Sequence, residues 1–179
     1  NKDLANINTL KDFKKESTRE LIVDDYIYQI KRLADNSNHS PIAGVMQEYI
    51  LGFNEYKEKL SNLENQNSKD KIDFMKVNQI SGIKKIDNYS FSIILKKQYP
   101  QFVYWLAMPF FSPMPWEADL FYNQKILKNK NITLNWYPIG TGPFKLTENN
   151  PNLRMVLKKN ENFRGEVYPS LKDKIENKK

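Results

Sequence analysis

The stretch from Trp136 to Gly165 constrains this chain most, because it holds a corner made of Gly140, Thr141, Gly142 and Pro143. Proline fixes its own φ and has no N–H, while glycine tolerates positive φ, so these residues turn the chain sharply. Beyond the corner, Phe144 and Leu146, then Met155 and Leu157, alternate as strand residues do. Asn149-Asn150-Pro151-Asn152 between them reads as the turn. The expectation is a β-hairpin entered through a Gly-Pro corner and left at Asn160, Phe163 and Gly165.

Upstream, the apolar period switches between helix and strand at each turn signal. Asp24-Asp25 precede Tyr26, Ile27, Ile30 and Leu33, a helical face with acids where the helix dipole favours them. Ser40-Pro41 reads as an N-cap followed by proline at the first helical position, with a stripe from Ile42 to Phe53 behind it. Tyr56, Leu60 and Leu63 allow a short helix, and Asn65 to Asp70 reads as a surface loop. Residues 1–20 are polar and read as an irregular start. Ile80 to Ile86 and Tyr89 to Leu95 flank the turn signal Asp87-Asn88 and predict a hairpin over 80–96.

Phe102 to Leu106 is apolar nearly all round and predicts a buried helix over 100–107. Pro109, Pro113 and Pro115 then argue for a stiff extended turn. Trp116 to Phe121 resumes a helix, placed near 116–123 and followed by a break at Asn129 to Asn131. The fold class that follows is α+β, a mixed domain of antiparallel hairpins and short packing helices, with helices near 25–34, 42–52, 100–107 and 116–123. A boundary is expected within 132–141.

Composition excludes several functions. With no cysteine and one histidine, His39 in a polar turn, thiolate or zinc chemistry has no ligand set, and neither a metal nor a cofactor is expected. Asp24 and Asp25 point about 100° apart on a helix, so they cap rather than converge. No nucleophile elbow or phosphate-binding loop motif is present, which argues against an enzyme. The net charge is +7, but the lysines are scattered and no nucleic-acid-binding pattern accompanies them, so no nucleic-acid partner is expected. No run reaches the roughly 20 apolar residues of a membrane helix.

The residues Gly140 to Phe144, Val156-Leu157, Asn160, Phe163 and Gly165 form an ordered set. Together with Val23 to Asp35, Ser40-Pro41 and the hairpin Gly82 to Lys97, they resemble family 5 extracellular solute-binding proteins. These are the oligopeptide- and dipeptide-binding components of ABC importers. The resemblance spans nearly all of residues 20–168. It implies a fragment of a two-lobed, type II periplasmic-binding-protein-like fold, periplasmic or at the cell surface. The chain would capture peptides or similar small solutes, as part of a full-length parent, for an ABC permease.

On this reading residues 1–135 are the extra subdomain of the large family members, and 136–179 begin the following lobe. The resemblance places the Pro-rich turn and the residue after Ser40-Pro41 on the ligand side. The ligand-facing candidates are therefore Ile42, Met108, Phe110 and Phe111. Where family members often carry an aromatic, this chain has Ile42, so that contact would be missing. The hairpin over 143–158, cut from its sheet, is expected to expose apolar surface and to invite self-association. The alternative reading is a stand-alone protein-interaction or chaperone-like module.

Overall fold

A computed structural model describes residues 3–13, 18–63 and 66–165. The chain forms two compact units, Asn1–Thr133 and Leu134–Lys179. Together they make the chain α+β: the first unit holds the helices and one small antiparallel sheet, and the described residues of the second hold the other antiparallel sheet.

In the first unit, 3-10 turns at Asp3–Asn6 and Leu10–Asp12 precede helix α1, Val23–Leu33. Its apolar face, with Val23, Ile27, Ile30 and Leu33, is buried. The two acids at its start divide their work. Asp25 accepts the Ile22 N–H at 3.1 Å and closes the helix end, whereas Asp24 accepts from Lys85 at 2.6 Å. His39 is exposed, in a left-handed conformation at the end of a 3-10 turn.

Helix α2 is Ala43–Tyr49 and begins later than the Ser40 cap predicts. Pro41 instead occupies the second position of a turn closed by Ala43 N–H donating to the Ser40 carbonyl, a place that suits its fixed φ equally well. Nor does α2 run through to residue 52. Ile50 is extended and Gly52 has φ 77°, because residues 49–51 pair with the hairpin. Helix α3 follows at Phe53–Ser61, with Phe53, Tyr56 and Leu60 in the core. Helix α4, Ser68–Val77, corrects the loop expected over 65–70. Asn67 caps it by accepting the Asp70 N–H at 3.0 Å, and only Ile72 and Met75 are buried. Its apolar residues Ile72, Phe74, Met75 and Val77 give a weak helical period, and packing against α1 and the helix Trp116–Tyr122 supplies the rest.

Strands β1, Ile83–Lys85, and β2, Phe91–Ile93, form the expected hairpin in a shorter form, with Ile83 opposite Ile93. Residues 49–51 add rungs along its base: Leu51 N–H donates to Ile94 at 3.0 Å, Gly82 N–H to Leu51 at 3.0 Å and Lys96 N–H to Tyr49 at 2.8 Å. Gly82 makes this approach possible, since a Cβ there would lie 2.4 Å from the Leu51 carbonyl oxygen.

Helix α5, Phe102–Leu106, buries only Phe102, which corrects the fully buried helix expected there. A helix of five residues meets the core along one side and leaves Val103, Tyr104 and Leu106 exposed. Pro109–Phe111 is a 3-10 turn rather than extended chain. Proline at its first position gives up an N–H that has no partner there anyway. Helices α6, Trp116–Tyr122, and α7, Lys125–Lys128, complete the unit; α6 packs on α4, and Leu127 and Ile132 are fully buried.

The second unit is built on strands β3, Phe144–Asn150, and β4, Arg154–Lys159. The turn lies at 151–153, so Asn149 and Asn150 belong to the strand rather than to the turn. Asn150 still shapes that turn, since its side chain accepts the Asn152 N–H at 3.1 Å. A bulge at Thr147 shifts the register between Leu146 and Glu148. It places Asn149, rather than Glu148, on the face that carries Phe144, Leu146, Met155 and Leu157. Asn160 binds the corner to the end of β4: its N–H donates to the Pro143 carbonyl and its side-chain amide to the Gly142 carbonyl, both at 2.8 Å. Gly140 and Gly142 do not adopt positive φ, contrary to the freedom read into them; Gly52 and Gly165 do.

Candidate functional site

The Pro-rich segment after α5 is held from beneath by two pegs and one polar relay. Phe111 and Met114 are the pegs, both buried. The Met114 N–H donates to the Asp25 carbonyl at 3.1 Å, fastening the segment to the first turn of α1. The 3-10 turn closes on itself through Phe111 N–H to the Met108 carbonyl and Ser112 N–H to the Pro109 carbonyl, each 3.0 Å.

The relay runs along one side of α1. Gln29 donates its amide to the Phe110 carbonyl at 2.7 Å, and Arg32 donates to Gln29 at 2.9 Å. Arg32 also donates to the buried carboxylate of Asp119 on α6 at 3.0 Å, and the Tyr28 hydroxyl donates to the same oxygen at 2.8 Å. Asn123 supplies a further donor to the other Asp119 oxygen at 2.8 Å. Burial, and then the Asp119 charge, push the Tyr28 phenol well above its ordinary range, so it stays a donor even in alkaline solution. Hydrogen bonds to an ionised group are among the stronger ones, and here they fix the backbone at Phe110. Spacing places Tyr28, Gln29 and Arg32 near one another on α1, but the sequence did not disclose this role. Asp119 lies 87 positions from Arg32 in the chain, a pairing no local pattern encodes.

What this scaffold presents is apolar. Met108 is 42% exposed and Phe110 38%, next to the exposed Val103, Tyr104 and Leu106 of α5. Trp105 is tied down instead, donating its indole N–H to the Tyr99 hydroxyl at 2.9 Å, while Tyr99 stacks on Tyr49 at 4.1 Å between centroids. The structure thus brings Met108, Phe110 and Phe111 into one turn. The first two side chains reach solvent, whereas Phe111 is 4% exposed and forms the base. Ile42 is also 4% exposed, buried at the start of α2, so it does not reach solvent as Met108 and Phe110 do. Thioether and aromatic surfaces on a fixed backbone suit apolar ligand groups of varied shape. Among the described residues, no group of three His, Cys, Asp or Glu side chains could hold a metal ion, and no helix is long and apolar enough to cross a membrane.

Comparison with known proteins bears on this surface. Residues 16–176 match the family described as bacterial extracellular solute-binding proteins, family 5 middle. The periplasmic oligopeptide-binding protein OppA of Salmonella typhimurium strain LT2 is 28% identical over 139 residues, covering 78% of this chain and 22% of OppA. The chain thus spans about a fifth of the length of this curated relative.

Proposed function

Because the chain belongs to the bacterial extracellular solute-binding proteins, family 5, we propose that it is part of a receptor that captures peptides or similar small solutes and delivers them to an ABC permease. Membership points to binding rather than catalysis, and to a periplasmic or extracellular location. In the full-length, two-lobed receptor the first unit forms the extra subdomain and the second unit begins the following lobe. The family match over residues 16–176 carries this reading, and a relative named for oligopeptide binding supports it.

Within that receptor, Met108 and Phe110 form part of the ligand-facing wall, with Phe111 supporting it from the core. The relay from Asp119 through Arg32 and Gln29 holds the Phe110 carbonyl before any ligand arrives, so little further ordering is lost on binding. The apolar face of the β3–β4 hairpin is covered by strands from elsewhere in the receptor. On an isolated piece it drives self-association.

The experiment is titration of the full-length protein, wild type and with Met108→Ala or Phe110→Ala, against a defined peptide mixture, with thermal stability measured in parallel. Affinity falling about tenfold at unchanged stability is the expected result for a ligand-facing pair of this size. Unchanged affinity in both variants would remove these residues from the ligand wall. A failure of the wild-type protein to retain any peptide would overturn the capture of peptides itself.

A further inference from the structure

A groove of about 740 Å³ opens on the first unit, between α1, the C-terminal end of α4, β1 and the first turn of α6. Its floor is apolar, with Ile27, Tyr28 and Ile83 nearly fully buried and Trp116 at one wall. Its charges are unbalanced. Asp25 and Glu117 share Arg19, and Asp24 pairs with Lys85 and also pulls on Lys31, so five cations, Arg19, Lys31, Lys76, Lys84 and Lys85, face three acids and leave the lining net positive. Lys31, Lys76 and Lys84 also line it, and none of the three makes an ion pair among the described residues.

Two of these cations are held in place. The Lys31 side chain is 3% exposed and donates to the Met75 carbonyl at 2.8 Å, which uses one of its three protons. Lys76 sits 3.5 Å above the Trp116 ring, a contact that fixes the ammonium without neutralising it.

We propose that this groove is a binding site for a small organic carboxylate, held by Lys31 and Lys76 with its apolar body on the floor beside Tyr28 and Trp116. The uncompensated charge selects an anion. The volume selects an organic one, because it falls within the roughly 300–1,000 Å³ of small-molecule sites. An inorganic ion would leave most of it, and all of the apolar floor, unused; a water-sized occupant takes up only about 30 Å³. Burial pushes the Lys31 amine down to about 8 against the pull of Asp24, and a bound carboxylate would relieve that cost. The inference rests on the first unit alone and is independent of peptide capture.

The test uses the full-length protein and 3-phenylpropionate as the probe, followed by calorimetry. 3-Phenylpropionamide serves as the neutral control and inorganic phosphate as the anion without an apolar body. The expected result is saturable binding of 3-phenylpropionate, at least tenfold weaker binding of both controls, and protection of the exposed Lys76 from amine-directed labelling read by mass spectrometry. Lys31→Met and Lys76→Gln each weaken binding about tenfold. The exposed Lys76 makes the second variant safe for folding should the first prove unstable. Binding persists when the protein is saturated with a peptide mixture. Absence of saturable binding, equal binding of the amide, competition by peptides, or unchanged affinity in Lys76→Gln would overturn the proposal.

Discussion

The first unit and the β3–β4 hairpin use similar apolar residues to opposite ends. Phe53, Met46, Ile72 and Ile132 are closed off from solvent by helices on several sides. Phe144, Met155 and Leu157 stand on one face of a two-stranded sheet and are 61–62% exposed. A helix cluster can enclose a core with its own elements, whereas two strands have a single layer and nothing to lay over it. The difference teaches that apolar alternation fixes a strand's faces but not what covers them.

Phe53→Ala and Phe144→Ala test that contrast most strongly. In the 179-residue chain Phe53→Ala should cost about 3–5 kcal/mol, the usual range for a fully buried phenylalanine, and Phe144→Ala less than about 0.5 kcal/mol. Local opening measured by amide hydrogen exchange reads both. In the full-length protein the Phe144→Ala cost should rise toward about 3 kcal/mol if other strands cover its face. A cost that stays small there would break the comparison.

The glycines give a second contrast. Gly82→Ala drives a Cβ into the Leu51 carbonyl and should cost about 3 kcal/mol. Gly140→Ala, with no atom within 4 Å of the added Cβ and no positive φ, should be neutral within about 0.5 kcal/mol in the same chain. Equal costs at both positions, in chemical denaturation, would refute this account of the hairpin base.

Lys31 offers a pH test confined to the first unit. Its folded amine is depressed to about 8 from 10.5, so the unfolded chain binds the extra proton between those values. Stability should therefore be lowest and level below pH 8 and climb by about 2 kcal/mol as pH rises from 8 toward 10. Above that, Tyr28 and Tyr56, whose phenols burial raises, favour the unfolded chain and reverse the climb. Charges lining the same groove are Arg19, Asp24, Asp25, Lys76, Lys84, Lys85 and Glu117. Lys31→Met should flatten the climb, and a curve of unchanged shape would show that another group causes it.

The smallest effect belongs to the corner. Asn160→Ala removes the side-chain bond to the Gly142 carbonyl and leaves the backbone bond to Pro143, so about 1 kcal/mol is expected. Exchange at the β4 amides should accelerate; an unchanged rate there would show that the Asn160 side chain does not hold the end of the strand.

The candidate Pro-rich segment was legible in sequence, but unevenly. Three prolines marked Met108 to Phe111 as a fixed segment, and the chemistry of its side chains followed directly. Which of them faces outward did not follow. Phe110 and Phe111 are adjacent and chemically alike, yet one is exposed and the other is a peg in the core. Gln29, Arg32 and Asp119, which hold that segment, come from α1 and α6 and meet only when those helices pack.

The sequence alone determined the element types wherever a period or a turn residue was strong: α1 with its acidic start, both hairpins, and the breaks at the prolines and glycines. These are local consequences of φ restriction, of apolar spacing and of side chains bonding to their own backbone. Only the tertiary structure decided where α2 stops, since Ile50 leaves the helix to pair with Leu95. It alone made α4 a helix on two buried anchors, left α5 half bare and set Lys31 beneath a groove. Each of these depends on which surfaces meet across long stretches of chain, and burial free energy acts only on surfaces already brought together.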